Sequence, residues 1–198
     1  VALTATITPT ITFTPTNTYG PLVADFEDNA ANDRTLWGGT IFTAAWGGIT
    51  TISPNPLLAN SGVAPGSGAS AFCMHVSGTV DTTANGGGAF LSLELNPGGT
   101  AFASANTDVT GYSPNQGLTF DYKADLGAVG TQYLVLLTQK TITDYAYWRY
   151  VLVPSDANWH TLTIYFPAVT AAPDKFQWGS AAFDPTQLGA VLFQGAEP

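Results

Sequence analysis

Turn-forming clusters break this chain at short intervals and leave only brief β-rich segments between them. Trp37-Gly38-Gly39, Trp46-Gly47-Gly48, Pro54-Asn55-Pro56, Asn85-Gly86-Gly87-Gly88, Asn96-Pro97-Gly98-Gly99 and Ser113-Pro114-Asn115 each combine residues that set or tolerate turn dihedrals. The intervening pattern predicts strands near 22–28, 40–43, 49–53, 70–76, 89–95, 117–123, 132–139, 145–153, 160–166 and 188–194. Short strands joined by tight turns pair antiparallel and pack as two sheets. The expected fold is therefore an all-β jelly-roll β-sandwich, and 198 residues suit one such domain with a tail.

The tail is residues 1–20, and 21–198 is the sandwich domain. Every even position from Thr4 to Thr18 is threonine, while the odd positions are mostly apolar. Such a period of two sends Leu3, Ala5, Ile7, Ile11 and Phe13 to one face of an extended chain. The composition also suits a Thr/Pro linker between extracellular modules, but a linker has no need of Ile, Ile and Phe in register. Pro9 and Pro15 share a parity, so both missing N–H donors fall on one edge. This predicts an edge strand over 3–16 with a single bonded neighbour.

Charge narrows the partners. Five Lys and Arg against fourteen Asp and Glu give a net charge of −9, which repels phosphate backbones and anionic headgroups, so nucleic acid is not an expected partner. Only 10% of residues are charged, against about 25% in an ordinary soluble domain. No apolar run approaches the roughly 20 residues a membrane span needs. The single Cys73, among small and apolar residues, is expected to be a buried, inert thiol. The sequence opens on Val1, as expected after removal of a leader or for a piece of a longer chain. An extracellular or cell-surface location follows as the expectation.

Five segments resemble the jelly-roll carbohydrate-binding modules of family eleven and the related complex I intermediate-associated protein 30-like domains. They are Leu22-Val23-Ala24-Asp25-Phe26-Glu27-Asp28, Gly68-Ala69-Ser70-Ala71-Phe72-Cys73-Met74-His75-Val76, Gln116-Gly117-Leu118-Thr119-Phe120-Asp121-Tyr122-Lys123, Trp159-His160-Thr161-Leu162-Thr163-Ile164-Tyr165-Phe166-Pro167 and Leu188-Gly189-Ala190-Val191-Leu192-Phe193-Gln194. The resemblance implies a concave face that holds carbohydrate and a structural calcium ion. It also implies a further closing strand, which the sequence as given, ending at Glu197-Pro198, does not include. A groove left there would expose unpaired backbone groups, and the alternating tail has the shape to fill it.

Candidate sites follow from residue chemistry. In Asp144-Tyr145-Ala146-Tyr147-Trp148-Arg149-Tyr150, alternation puts Tyr145, Tyr147 and Arg149 on one face and Trp148 and Tyr150 on the other. Aromatic rings stack on pyranose faces while a guanidinium donates hydrogen bonds to hydroxyls. Trp46 and Trp178, like Trp37, stand beside glycines in predicted loops, where an indole can serve as a platform. Asp25, Glu27, Asp28 and Asp33 supply hard oxygen ligands for calcium, without the spacing of an EF-hand loop. His75 and His160 lack any spacing for metal binding or nucleophile activation, and no nucleophile-elbow, zinc-protease or phosphate-loop motif is present. The expected function is non-catalytic: self-assembly into a homopolymeric filament or surface layer, the tail strand completing a neighbouring sandwich. Polysaccharide binding by a tethered module is the alternative.

Overall fold

The computed structural model describes residues 2–8, 23–24, 26, 35–47, 51–54, 62–79, 88–96, 107–110, 117–167 and 172–195. Eleven strands lie among them: β1 (Ala2–Thr8), β2 (Ile41–Trp46), β3 (Thr51–Ser53), β4 (Gly62–Val63), β5 (Cys73–Thr79), β6 (Gly88–Glu94), β7 (Gly117–Ala124), β8 (Tyr133–Gln139), β9 (Trp148–Leu152), β10 (His160–Tyr165) and β11 (Leu188–Gly195). They form two antiparallel sheets. One runs β10-β7-β1-β5-β3 with β4 also on β5, and the other runs β2-β6-β11-β8-β9. The expected all-β sandwich is the fold.

In the first sheet, alternation separates the faces. In β7, Leu118, Phe120 and Ala124 are buried in the core while Thr119 faces out and shares a 2.9 Å hydrogen bond with Thr163 of β10. Leu91 and Leu93 of β6 meet Val191 and Phe193 of β11 across the same core, and Phe120 packs edge-on against Phe193 at 5.0 Å. The two sheets therefore close over one continuous apolar layer, the dominant stabilising term of such a fold.

Residues 2–8 of the tail form strand β1, and its place corrects the edge-strand expectation. It lies in the middle of its sheet, paired with β5 over Ala2–Ile7 and with β7 over Ala5–Thr8, all within one chain. The edge expectation rested on Pro9 and Pro15, but the described strand stops at Thr8, before either, so no missing donor prevents two ladders. Ala5 and Ile7 stand opposite Val76, Met74, Ala124 and Tyr122, all members of the core or packed against it. Ile11 and Phe13 lie outside the described residues.

Two other expectations change. The segment expected as a strand at 22–28 is no strand at its described residues: Val23, Ala24 and Phe26 are buried, but Phe26 sits at φ 60°, where an extended chain cannot continue. Likewise β9 begins at Trp148 and not at 145, because Tyr145 adopts φ 62°.

One connection sets up the site. Tyr165 donates its N–H to the Asp174 carbonyl at 2.8 Å and accepts from Phe176 at 3.0 Å, while Arg149 and Gln177 exchange backbone bonds of 2.8 and 2.7 Å. Residues 174–177 thus clasp β10 of one sheet and β9 of the other, with Phe176 fully buried between them. Trp178 follows immediately and is carried onto the outside of the β9 sheet.

Candidate functional site

The outer face of the β2-β6-β11-β8-β9 sheet is apolar where an ordinary sandwich would be polar. Residues directly opposite one another share a face, so the register places Trp46, Ala44 and Phe42 with Gly88, Phe90 and Ser92, then Leu192 and Gln194, then Leu136 and Leu134, then Arg149 and Val151. Phe90, Leu136, Ala190 and Leu192 form a second buried cluster there, with Phe42, Ala44, Leu134 and Tyr147 packed against it.

Aromatic rings stand on this floor. Trp46 and Phe42 both lean on Phe90, at 5.8 and 5.9 Å between centroids, and Tyr145 meets Tyr147 edge-on at 6.2 Å. Trp46, Tyr145 and Trp178 are 43%, 76% and 64% exposed, far more than core packing would leave them. Gly88 explains how Trp46 lies down: it is the cross-strand partner of Trp46, and a Cβ there would fall 2.2 Å from the indole. Only glycine gives the ring that seat.

The other end is built by hydrogen bonds. Asp144 Oδ1 accepts from the Ser180 hydroxyl at 2.8 Å and from the Ala146 amide at 3.1 Å, and Ser180 N–H donates to the Ala146 carbonyl at 3.0 Å. These bonds tie the loop at 144–147 to the segment at 178–180. Tyr145 and Trp178, both at φ 62°, are two of the three described non-glycine residues in the left-handed region. Bulky side chains rarely occupy it, and such strain persists where surrounding structure fixes it, often at a binding site. The Arg149 guanidinium lies flat over the Trp178 ring, 3.3 Å from its centroid.

Two adjoining clefts result. One of about 470 Å³ is lined by Trp46, Phe90, Leu136, Tyr145, Tyr147, Leu192 and Gln194. The next, of about 340 Å³, shares Leu136, Tyr145, Tyr147 and Gln194 and adds Arg149, Trp178 and Ser180. Volumes of a few hundred Å³ fit small-molecule or oligomeric ligands. All five residues expected for carbohydrate, Tyr145, Tyr147, Arg149, Trp46 and Trp178, therefore line one surface. Phe90, Leu136, Leu192 and Gln194 were not anticipated. The signal for the three apolar ones was the unbroken runs Ala89–Leu91, Leu134–Leu137 and Ala190–Phe193, too continuous for a sheet with one wet face.

Burial raises the Tyr147 phenol above the ordinary tyrosine value, with the neighbouring Tyr145 and Asp144 adding to it. The Ser180 hydroxyl, then the Ala146 amide, hold the Asp144 carboxyl below the ordinary 3.8. A depressed carboxylate contributes stability that is complete above its unfolded value and is lost as pH falls through its folded value. Acidification below 3.8 should accordingly release the 144–147 loop, seen as amide shift changes of Ala146 and Tyr147 in NMR titration, and Asp144→Asn should flatten that transition.

The remaining candidates lie elsewhere. Asp25, Glu27, Asp28 and Asp33 are outside the described residues; among the described ones no group of three or more His, Cys, Asp or Glu could hold a metal ion. His160 bonds Asp156 at 2.8 Å and stacks on Tyr122, and His75 approaches Asp125 at 3.6 Å. Cys73 is buried with its thiol directed at the Val63 and Pro65 carbonyls. No helix among the described residues is long and apolar enough to cross a membrane. No family model, no curated protein and no solved structure matches the chain.

Proposed function

We propose that this chain is a non-catalytic, extracellular carbohydrate-binding module whose ligand lies on the outer face of the β2-β6-β11-β8-β9 sheet. The observation that carries this is the convergence of rings from three separate parts of the chain, the exposed Trp46, Tyr145 and Trp178 with the half-buried Tyr147, on one face. Sugars present apolar C–H faces to rings and hydroxyls to polar groups, and this surface offers both, with Gln194, Ser180 and Arg149 among the rings. The resemblance to family-eleven modules supports the same reading. β2 and β9 are the two edges of a five-stranded sheet, so a ligand reaching from Trp46 to Trp178 crosses roughly 19 Å at about 4.8 Å per strand spacing. That is the reach of an oligosaccharide and not of a single sugar.

Native gel electrophoresis through immobilised polysaccharides tests this. Retardation by at least one polysaccharide, reversed by its soluble oligomers, is the expected outcome, and unaltered mobility through a broad panel would refute it.

Self-assembly is a second reading, favoured by the central position of β1. A strand contributed by the first residues of the chain and bonded on both sides is one that a neighbouring copy could supply instead, giving open head-to-tail polymers. Negative-stain images of concentrated protein should then show filaments that are lost when residues 1–18 are deleted, whereas discrete particles from the intact chain would exclude it.

A further inference from the structure

Resting on the carbohydrate reading, we propose that the sugar chain is acidic and that Arg149 reads the carboxylate of a uronic acid residue. The chain carries only five basic residues against fourteen acidic ones, so a guanidinium has many possible carboxylate partners. Yet the described ion pairs are His75–Asp125 and His160–Asp156, and Arg149 belongs to neither. It is half-buried on the cleft wall and held flat on Trp178, 3.3 Å above the ring. Stacking satisfies the guanidinium face and fixes its plane while leaving the N–H edges unspent. A planar fork of donors matches a carboxylate bidentately, and Arg is less strongly hydrated than Lys, which suits a half-buried pair.

The one acid on the same loop does not compete for it. Asp144 Oδ1 is committed to Ser180 and the Ala146 amide, and those bonds hold the carboxylate in the loop. The net charge of −9 over the whole chain opposes an anionic ligand as it does a phosphate backbone, but this opposition is screened beyond about 8 Å in physiological salt. Local pairing at Arg149 therefore decides, and stacking on Tyr145, Tyr147 and Trp46 binds the neutral parts of the chain.

Calorimetric titration with three oligosaccharides of equal length, one carboxylated (oligogalacturonate), one sulfated and one neutral (a β-glucan oligomer), tests the assignment. The wild type should prefer the carboxylated chain to the neutral one by about tenfold or more, and raising the salt should weaken the carboxylated ligand more than the neutral one. In Arg149→Gln the ratio of the two affinities should collapse toward one, and Arg149→Lys should recover only part of it. Equal affinities for carboxylated and neutral chains in the wild type would overturn the acidic-sugar inference and keep the carbohydrate reading. Preference for the sulfated chain would overturn the choice of carboxylate, and binding of none of the three, or of any polysaccharide in the gel panel, would remove the reading beneath it. The salt comparison uses the wild type alone, so a poorly folding Arg149 variant does not rescue the idea.

Discussion

A chain lacking residues 1–8 should fail to hold its sandwich on its own and should recover it when a synthetic peptide of residues 1–18 is added. β1 lies between β5 and β7, with six register positions on one side and four on the other. Its removal exposes β5 over residues 74–79 and β7 over residues 121–124 and cuts the sheet in two. At a net value of about 1 kcal/mol per backbone hydrogen bond, the loss is on the order of several kcal/mol, comparable with the whole stability of a domain of roughly 5–15 kcal/mol. Circular dichroism should show the truncated chain largely unfolded, or melting far below the full chain. A peptide carrying Ile7→Pro should not rescue it, because position 7 lies in both ladders, opposite Met74 and Tyr122, and proline cannot donate to either. A truncated chain that melts like the intact one would show that β1 is dispensable and would withdraw the basis for strand exchange.

Tyr147→Ala should cost glycan affinity more than any other single change on the face. Tyr147 lines both clefts, packs against the Phe90, Leu136, Ala190 and Leu192 floor, and gives Tyr145 its ring partner. Central, well-packed aromatic residues carry about 2 kcal/mol or more of binding, equivalent to a roughly thirtyfold loss. Tyr147→Phe keeps the ring and the packing and should retain most of the affinity, which separates stacking from the hydroxyl. Affinity unchanged in Tyr147→Ala, with the melting temperature preserved, would place the ligand elsewhere.

What the sequence revealed of all this followed period and parity. Strands β7 and β10 were legible because one face lies in the core, as Leu118, Phe120 and Ala124 show against Thr119, so alternation marks them, whereas β8 and β11 were marked by the continuous apolar runs Leu134–Leu137 and Ala190–Phe193. The same parity correctly set Arg149 apart from Trp148 and Tyr150, which pack against the core. It failed where the backbone leaves the extended region: Phe26 and Tyr145, at φ 60° and 62°, sit in apolar or aromatic runs that look like strand. Trp46 and Trp178 could be picked out as glycine-flanked indoles, but not that β2 and the 174–177 clasp would bring them to one surface. That convergence depends on strand order, with β11 inserted between β6 and β8, which no local pattern records. The tail was recognisable as a strand, and its centrality was not, because parity identifies a face and says nothing of how many neighbours pair with it.

The most direct test of the carbohydrate face is an NMR titration that follows the indole N–H signals of the five tryptophans as oligosaccharide is added. The signals of Trp46 and Trp178, exposed at the two ends of the face, should move together and saturate at one concentration, while Trp37 and Trp148, packed in the inter-sheet core, should stay in place. Backbone amide shifts in the same spectra confined to the opposite sheet, at Thr119 and Thr163, or static Trp46 and Trp178 signals with a ligand that demonstrably binds, would contradict the account.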